Sequence, residues 1–292
     1  MKQGIASYLK HGGGRALWLV GLLLCAPQAL AGAWTQPRGQ GYYKLEGRFL
    51  RAGQLYGPGG EKFDIPTLGD YVLSLYGEYG TTRRVTLVVY LPILERITLN
   101  EVVSRQTGST LAGGDVESGF ADPEVGLRVG LVQGGPTVVS AGVSLGIPAG
   151  NDQQGSGLLT GDGEFNQLLS LQAGHSFSRL PLYVSGEVGL NSRTGGFSDE
   201  FRYAAEVGYT LGRRLTLIGR VRGVDSLENG DDAVTGGTSG LFANNQEYLI
   251  YGSEIAFMFS DSFGISAKGE EIIRGRNIVA APAYSIGLFL KH

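Results

Sequence analysis

The sequence predicts an all-β protein, a transmembrane antiparallel up-and-down β-barrel of about 12 strands. Three observations support this prediction: many short segments alternate apolar and polar residues, their connections alternate in length, and charged residues keep to one face. The composition agrees, because the 292 residues include 49 glycines and 14 tyrosines, and only 17% are charged. Such a composition suits strands and turns.

The chain begins with the features of a secretory signal peptide. Lys2, Lys10 and Arg15 precede an apolar run at 16–24, and small residues at 29–31 provide a cleavage pattern. The apolar run is too short to span a bilayer comfortably. We therefore expect residues 1–31 to be a cleaved signal peptide and residues 32–292 to form a single domain.

The expected mature domain offers no thiol chemistry. The only cysteine, Cys25, lies within the signal segment, and Leu24 before it does not fit a lipoprotein cleavage site. The formal net charge is −3, and loss of the basic signal makes it more negative. Disulfides and cysteine-bound metals are therefore excluded, and no nucleic acid is expected as a partner.

Alternation is clearest in the segment 71–79. Tyr71, Leu73 and Leu75 share one face, and Ser74 and Glu78 lie on the other. A period of two residues is typical of a strand with one apolar side. The same period, with some weaker examples, predicts strands at 41–52, 69–80, 84–93, 122–132, 136–147, 164–177, 181–191, 200–211, 214–225, 246–259, 262–273 and 278–291.

The connections between these segments alternate between short and long. Short links lie around 81–83, 133–135, 178–180, 212–213 and 260–261, whereas long polar or glycine-rich stretches occupy 53–68, 94–121, 148–163, 192–199 and 226–245, with a shorter one near 275. Outer-membrane barrels combine short periplasmic turns with longer external loops. We expect both chain ends on the periplasmic side.

The polar faces carry few charges, of both signs, unlike the water-facing side of a soluble β-sandwich. Opposite charges facing across a barrel lumen can pair, whereas a basic residue on the lipid side near the midplane costs about 2–4 kcal/mol. These faces therefore predict a barrel in the bacterial outer membrane, surrounded by lipid. The charged residues expected to line its lumen are Lys44, Glu46, Arg48, Glu78, Glu124, Arg128, Glu187, Arg202, Glu206, Arg220, Arg222, Glu254, Lys268 and Glu270.

Aromatic residues on the apolar faces concentrate near the strand ends. Two girdles of rings at the lipid–water boundary are typical of membrane barrels. The ring expected toward the short turns comprises Tyr43, Tyr79, Phe177, Tyr209, Phe259 and Phe263, and the ring toward the long loops comprises Phe49, Tyr71, Phe201, Tyr203, Tyr251 and Tyr284.

A search for catalytic residues gives no enzyme. His175 is expected to face lipid near the periplasmic end, while the neighbouring Ser176 points the other way, so no serine–histidine pair forms. Paired carboxylates such as Glu270-Glu271 face opposite sides of a strand or lie in loops. Calcium in an external loop, near Asp152 or Asp162, stays open, but no complete calcium-loop spacing is present. We expect no catalytic residue, no metal and no cofactor.

The inward charges allow two interpretations of the lumen. Arg202, Arg220 and Arg222 lie on neighbouring strands and form a basic wall that would favour anionic or aromatic-acid solutes. In the alternative, these arginines only pair with Glu187, Glu206 and Glu254, and the lumen is a closed ionic core.

Two short motifs in the centre of the chain resemble a known family. The strand ending Leu145-Gly146-Ile147 runs into Pro148-Ala149-Gly150, and Thr160-Gly161-Asp162-Gly163 precedes the next strand. A Pro-x-Gly turn followed by a Thr-Gly-x-Gly segment resembles the phenol-degradation MetA-type outer-membrane transporters. The resemblance implies an outer-membrane barrel through which small, often hydrophobic or aromatic, compounds are proposed to pass. It implies no substrate-binding residue.

The end of the chain resembles the signal that the outer-membrane assembly machinery recognises, through Ser285, Gly287 and Leu290, but it closes on His292 instead of Phe or Trp. Our leading hypothesis is a monomeric, porin-like channel or passive transporter for small solutes. The alternative is a non-conducting barrel whose external loops, 226–245 above all, bind a partner or ligand.

Overall fold

The computed structural model describes residues 32–153, 155–237 and 239–292. The expected signal peptide, 1–31, lies outside the described residues. Within them the chain forms sixteen strands. They are β1 (Gly41–Tyr56), β2 (Lys62–Gly80), β3 (Val85–Leu99), β4 (Val102–Val103), β5 (Thr110–Ala112), β6 (Asp115–Gly119), β7 (Glu124–Val132), β8 (Thr137–Gly146), β9 (Asn166–Ser176), β10 (Leu182–Arg193), β11 (Glu200–Leu211), β12 (Leu215–Ser226), β13 (Glu247–Met258), β14 (Phe263–Arg276), β15 (Ile278–Val279) and β16 (Ala283–Lys291).

Twelve of these strands close into an antiparallel up-and-down barrel. Each long strand pairs with the next along the chain, in the order β1, β2, β3, β7, β8, β9, β10, β11, β12, β13, β14 and β16. β1 pairs with both β2 and β16, so the sheet has no free edge. The predicted fold class, a barrel of about twelve strands, is confirmed.

Several strands are longer than predicted, because they continue beyond the alternating part of the sequence. β1 and β2 stay paired through Tyr56 and Lys62, so the predicted loop 53–68 shrinks to residues 57–61. In this outer part the pairing shifts between Ala52 and Gln54, Gln54 is exposed, and Tyr56 and Leu68 are buried. The predicted loop 94–121 likewise contains the end of β3, the β4–β5 hairpin and β6. The predicted strand 278–291 is two strands, separated at 280–282.

Two bulges account for strands whose face assignment is ambiguous in the sequence. Opposite Leu73 and Ser74 of β2, the pairing skips Ile93 of β3. The consecutive residues Ile93 and Leu94 are therefore both exposed. Opposite Leu249 and Ile250 of β13, the same irregularity skips Ile273 of β14. An extra residue in one strand reverses the alternation beyond it.

The outside of the barrel is apolar. Exposed Leu and Val side chains, such as Leu169 at 66% exposure, occupy alternate positions on neighbouring strands. The two predicted groups of aromatic rings lie on this outward face, with Tyr203 half-buried beside Phe201. A closed barrel with an apolar exterior satisfies its backbone in lipid. This architecture confirms the predicted location in the bacterial outer membrane. No helix among the described residues has the length and hydropathy needed to cross a bilayer.

Candidate functional site

The barrel interior contains a cavity of about 740 Å³. Its walls come from strands on all sides, including Arg48 of β1, Arg128 of β7, Glu206 of β11 and Glu270 of β14. Strands place alternate residues inward, so the polar faces of the strands build much of the lining, and Leu241 and Phe242 of a loop complete it. The cavity is therefore the candidate functional site.

A continuous chain of ion pairs crosses one wall of this cavity. Lys44 Nζ lies 2.5 Å from Glu46 Oε2 and 2.9 Å from Glu254 Oε1, and it is almost fully buried. Lys268 extends the chain in one direction and Arg220 in the other. In order, its members are Glu206, Arg220, Glu254, Lys44, Glu46, Lys268, Glu270 and Arg222. All eight were among the residues predicted to line the lumen.

Cations and anions of this wall differ in exposure. The side chain of Arg222 is 44% exposed, whereas its partner Glu270 is 8% exposed and lies 3.3 Å from Arg222 Nε and 3.4 Å from Lys268 Nζ. Arg48 and its buried partner Asp70 show the same asymmetry, with the guanidinium facing the cavity. The surface that a solute would meet is thus more basic than the residue composition suggests.

Arg128 and Glu78 form a separate pair on another wall. Arg128 Nη1 lies 3.0 Å from Glu78 Oε1, and both side chains are buried. Tyr76 donates to the same oxygen of Glu78 at 2.6 Å. Arg128 and Glu78 were both predicted to line the lumen, but Tyr76 was not in the predicted set.

The predicted pairing of the three wall arginines is only partly correct. Arg220 does contact Glu206 and Glu254, but Arg202 pairs with Glu200 at 2.8 Å and Arg222 with Glu270. Glu200 begins the predicted strand 200–211 and is the buried first residue of β11, although it is not among the charged residues predicted to line the lumen.

Two predicted carboxylates lie outside these ion pairs. Glu187 accepts a 2.6 Å hydrogen bond from Gln172, and Glu124 is exposed at the long-loop end of its strand. Neither forms an ion pair with any other described residue. Adjacent strands can differ in register by several residues, so sequence spacing alone cannot pair inward charges.

The segment before β1 lies inside the barrel, which the sequence did not reveal. Gln36 Nε2 donates to Glu78 at 2.7 Å, and the Trp34 carbonyl accepts from Arg128 at 2.9 Å. The Trp34 ring packs edge-on against Tyr183 of β10, with centroids 5.8 Å apart. Residues 32–36 therefore occupy part of the lumen, between the short-turn end and the middle of the barrel.

Two glycines leave room for this segment. A Cβ on Gly174 would overlap the Trp34 ring, and a Cβ on Gly80 would overlap the Pro37 carbonyl. Glycines on an inward strand face are the available signal in the sequence, but they do not identify what lies against them.

Apolar layers lie on both sides of the charged layer. At the short-turn end Tyr42, Met258 and Phe289 pack together. At the long-loop end a larger cluster fills the mouth, and it includes loop residues as well as strand residues. Its members include Leu50, Leu68, Ile97, Leu158, Ile278 and Val279, with Leu241 and Phe242 packed against it. The parts of loops 147–165 and 227–246 around Leu158, Leu241 and Phe242 thus fold into the mouth.

A second ionic cluster secures loop 147–165. Arg193 of β10 contacts Asp162, Glu164 and Glu200, with Nε 2.6 Å from Glu164 Oε1. Burial and the neighbouring Asp162 charge raise the pKa of Glu164 to about 8, against the opposing effect of Arg193. Of the two carboxylates considered for calcium, Asp162 is engaged by Arg193, whereas Asp152 is exposed. No group of three or more potential ligands suited to a metal ion occurs among the described residues.

His175 lies at the short-turn end, as predicted, and has no serine partner there. Its Nδ1 is 2.8 Å from Thr137 Oγ1, and its ring meets Phe177 edge-on at 4.7 Å between centroids. Among the described residues, the hydrogen-bond partner of the imidazole is thus the Thr137 hydroxyl and not a serine.

Comparison with known proteins supports the fold. No protein-family model matches the chain, and no curated protein matches it. Among solved structures, the COG4313 outer membrane channel from Pseudomonas putida F1 aligns with a TM-score of 0.64 and 14% identity, covering 90% of this chain and 99% of that one. The translocator domain of the autotransporter NalP from Neisseria meningitidis gives 0.49 at 12% identity, covering 88% and 90%.

A KdgM porin gives a TM-score of 0.45 at 9% identity, covering 85% of this chain and 98% of that one. At 14% identity, the likeness to the COG4313 channel concerns the fold. The chain therefore has the fold of an outer-membrane β-barrel.

Proposed function

We propose that the protein is a channel or passive transporter for small solutes across the bacterial outer membrane, acting as a monomer. The observation that supports this proposal best is the cavity of about 740 Å³ within a closed barrel. Its charged lining would hold water, and this water would keep the polar groups of a solute hydrated inside the barrel. The resemblance to MetA-type transporters agrees with this role. The terminal strand motif supports assembly by the outer-membrane machinery.

We further propose that the preferred solutes are small organic anions with an apolar part. Arg202 is 33% exposed and Arg222 is 44% exposed, and each has a single buried carboxylate partner, whereas Arg220 is held between two. Arg222 lines the cavity, and Arg202 lies diagonally from it across β11 and β12, on the same face of the sheet. A guanidinium can bind a carboxylate through two parallel hydrogen bonds.

Apolar residues beside these arginines would accept the rest of such a solute. Ile250 of β13 pairs directly with Arg222. Tyr248 pairs with Val224, two residues farther along β12. Phe242 of loop 227–246 also lines the cavity. A benzoate-sized anion would thus place its ring among these groups and its carboxylate on the arginines.

Planar-bilayer recording and liposome flux of benzoate test both proposals. We expect small conductance steps and a preference for anions, which the double variant R202Q/R222Q loses while it still conducts. The control is R96Q/R105Q, two arginines near the external end and away from the cavity. Absence of both conductance and flux in the folded protein would contradict the channel. Unchanged anion preference in R202Q/R222Q would contradict the solute class alone.

The second candidate is a non-conducting barrel whose external loops bind a partner. The β4–β5 hairpin supports it, because this hairpin forms its own two-stranded sheet and exposes Leu111 and Val103. Loop 227–246, the first choice from sequence, packs into the mouth and is a poorer candidate. A folded protein that neither conducts nor passes benzoate would favour this function.

A further inference from the structure

The two ends of the barrel carry opposite charge. Arginines crowd the short-turn end, where Asp261 is the only acidic residue in the turns 81–84, 133–136, 177–181, 212–214 and 259–262. At the other end, the loops 147–165, 194–199 and 227–246 contain acidic residues and no basic ones. We define the basic rim as Arg38, Arg83, Arg84, Arg179, Arg213 and Arg214.

The basic rim is exposed and lacks internal partners. All six side chains belong to exposed residues, and none forms an ion pair with another described residue. By contrast, most of the arginines inside the barrel contact a carboxylate. Six like charges at one end of a protein repel one another, so an external anion would stabilise them.

Aromatic and apolar residues place the rim at the level of lipid headgroups. Arg213 and Arg214 follow the outward-facing Tyr209 and Leu211, and Arg179 lies between the exposed Phe177 and Leu180. At about 3.3 Å per strand residue, these guanidiniums lie within reach of the phosphates just outside the girdle. Rings at the boundary with charges beyond them are typical of residues that contact headgroups.

A cleft on the rim offers a seat for one lipid. It has a volume of about 360 Å³ and is lined by Pro136, His175, Phe177, Arg179 and Leu180, among others. Its apolar walls suit the start of an acyl chain, and Arg179 suits a phosphate. A soluble acidic protein would use the charges but would have no need of the adjoining apolar cleft.

We propose that the basic rim binds the phosphates of anionic phospholipids in the leaflet at the short-turn end. The interaction fixes the depth of the barrel in that leaflet and is independent of solute passage. A basic residue near an anionic lipid surface contributes about fivefold in affinity, equivalent to ~1 kcal/mol. Several such residues together give a strong preference for anionic over zwitterionic lipid.

Native mass spectrometry of the purified protein in detergent, with equal amounts of phosphatidylglycerol and phosphatidylcholine, tests the proposal. We expect the unmodified protein to retain phosphatidylglycerol at least about tenfold more than phosphatidylcholine, and R179Q/R213Q/R214Q to fall below about twofold. The matched control, R51Q/R96Q/R105Q near the long-loop end, should keep the preference. Unheated gel mobility confirms that each variant is a folded barrel.

Two outcomes would overturn the proposal. One is equal retention of both lipids by the unmodified protein, which would turn attention to an acidic protein partner. The other is undiminished retention of phosphatidylglycerol by the folded rim variant. A triple lysine variant, R179K/R213K/R214K, should keep a preference for phosphatidylglycerol, because it keeps the charge.

Discussion

At the scale of single residues, Lys44 is the centre of the longest ionic network. Its ammonium group is almost fully buried and contacts both Glu46 and Glu254. A buried charge is tolerated only when its partners satisfy it, and removing one member leaves the others uncompensated. Lys44 thus connects two halves of the network. Through Glu254 it is linked to Arg220, and through Glu46 it is linked to Lys268.

Substitution of Lys44 by Met should therefore destabilise the barrel. Breaking a buried ion pair costs about 3–5 kcal/mol, and we expect the lower end, because both carboxylates keep a second cation. Urea unfolding in micelles, followed by the fluorescence of Trp34, measures the change. Lys62→Met, at the exposed end of β2, is the control. Equal urea midpoints for Lys44→Met and the unmodified protein would contradict the prediction.

Glu164 should make stability depend on pH. Its folded pKa, about 8, lies above the ordinary value of 4.5, because it is buried beside Asp162. Between these values the folded state binds more protons than the unfolded state, so stability falls as pH rises. We expect urea midpoints to decrease from about pH 5 to pH 8, and the slope to be smaller in Glu164→Gln. A steeper slope in that variant would show that the sign is wrong.

At the scale of elements, sequence patterns predicted the strands better than the segments between them. Alternation located the twelve barrel strands because lipid outside and a polar lumen inside impose opposite demands on successive residues. It failed at Ile93 and Ile273, where a bulge reverses the faces, and at residues 53–56, where the pairing shifts between Ala52 and Gln54. Ion-pair partners such as Glu200 for Arg202 depend on register and were not predictable.

The N-terminal segment is the clearest example of an element without a sequence pattern. Trp34, Thr35 and Gln36 have no period, and their place depends on contacts with Arg128, Gln133 and Glu78. Deletion of residues 32–36 should leave the Arg128–Glu78 pair intact and remove material from the lumen. We expect conductance in planar bilayers to rise several-fold with an unchanged unheated gel mobility. Trp34→Ala should give a smaller rise, and unaltered conductance in the deletion would refute a plug.

At the scale of the whole molecule, closure joins the first and last strands of the barrel. The amide of Gly41 donates to the His292 carbonyl at 3.0 Å, and the amide of His292 donates to the Gly41 carbonyl at 2.9 Å. Nine residue pairs then link β1 to β16. These contacts span nearly the entire sequence, so the barrel is complete only when its last strand is in place.

Removal of residues 283–292 should therefore prevent formation of a stable barrel. The truncation leaves β1 and β14 as free edges, and unpaired backbone groups cost several kcal/mol each in lipid. We expect the truncated protein to lose the faster migration that folded barrels show on unheated gels and to aggregate through its edges. Deletion of residues 102–112 is the control, because the β4–β5 hairpin stands outside the barrel sheet. A truncated chain that still migrates as a folded barrel would mean that β1 and β14 can pair directly, with eleven strands sufficient for closure.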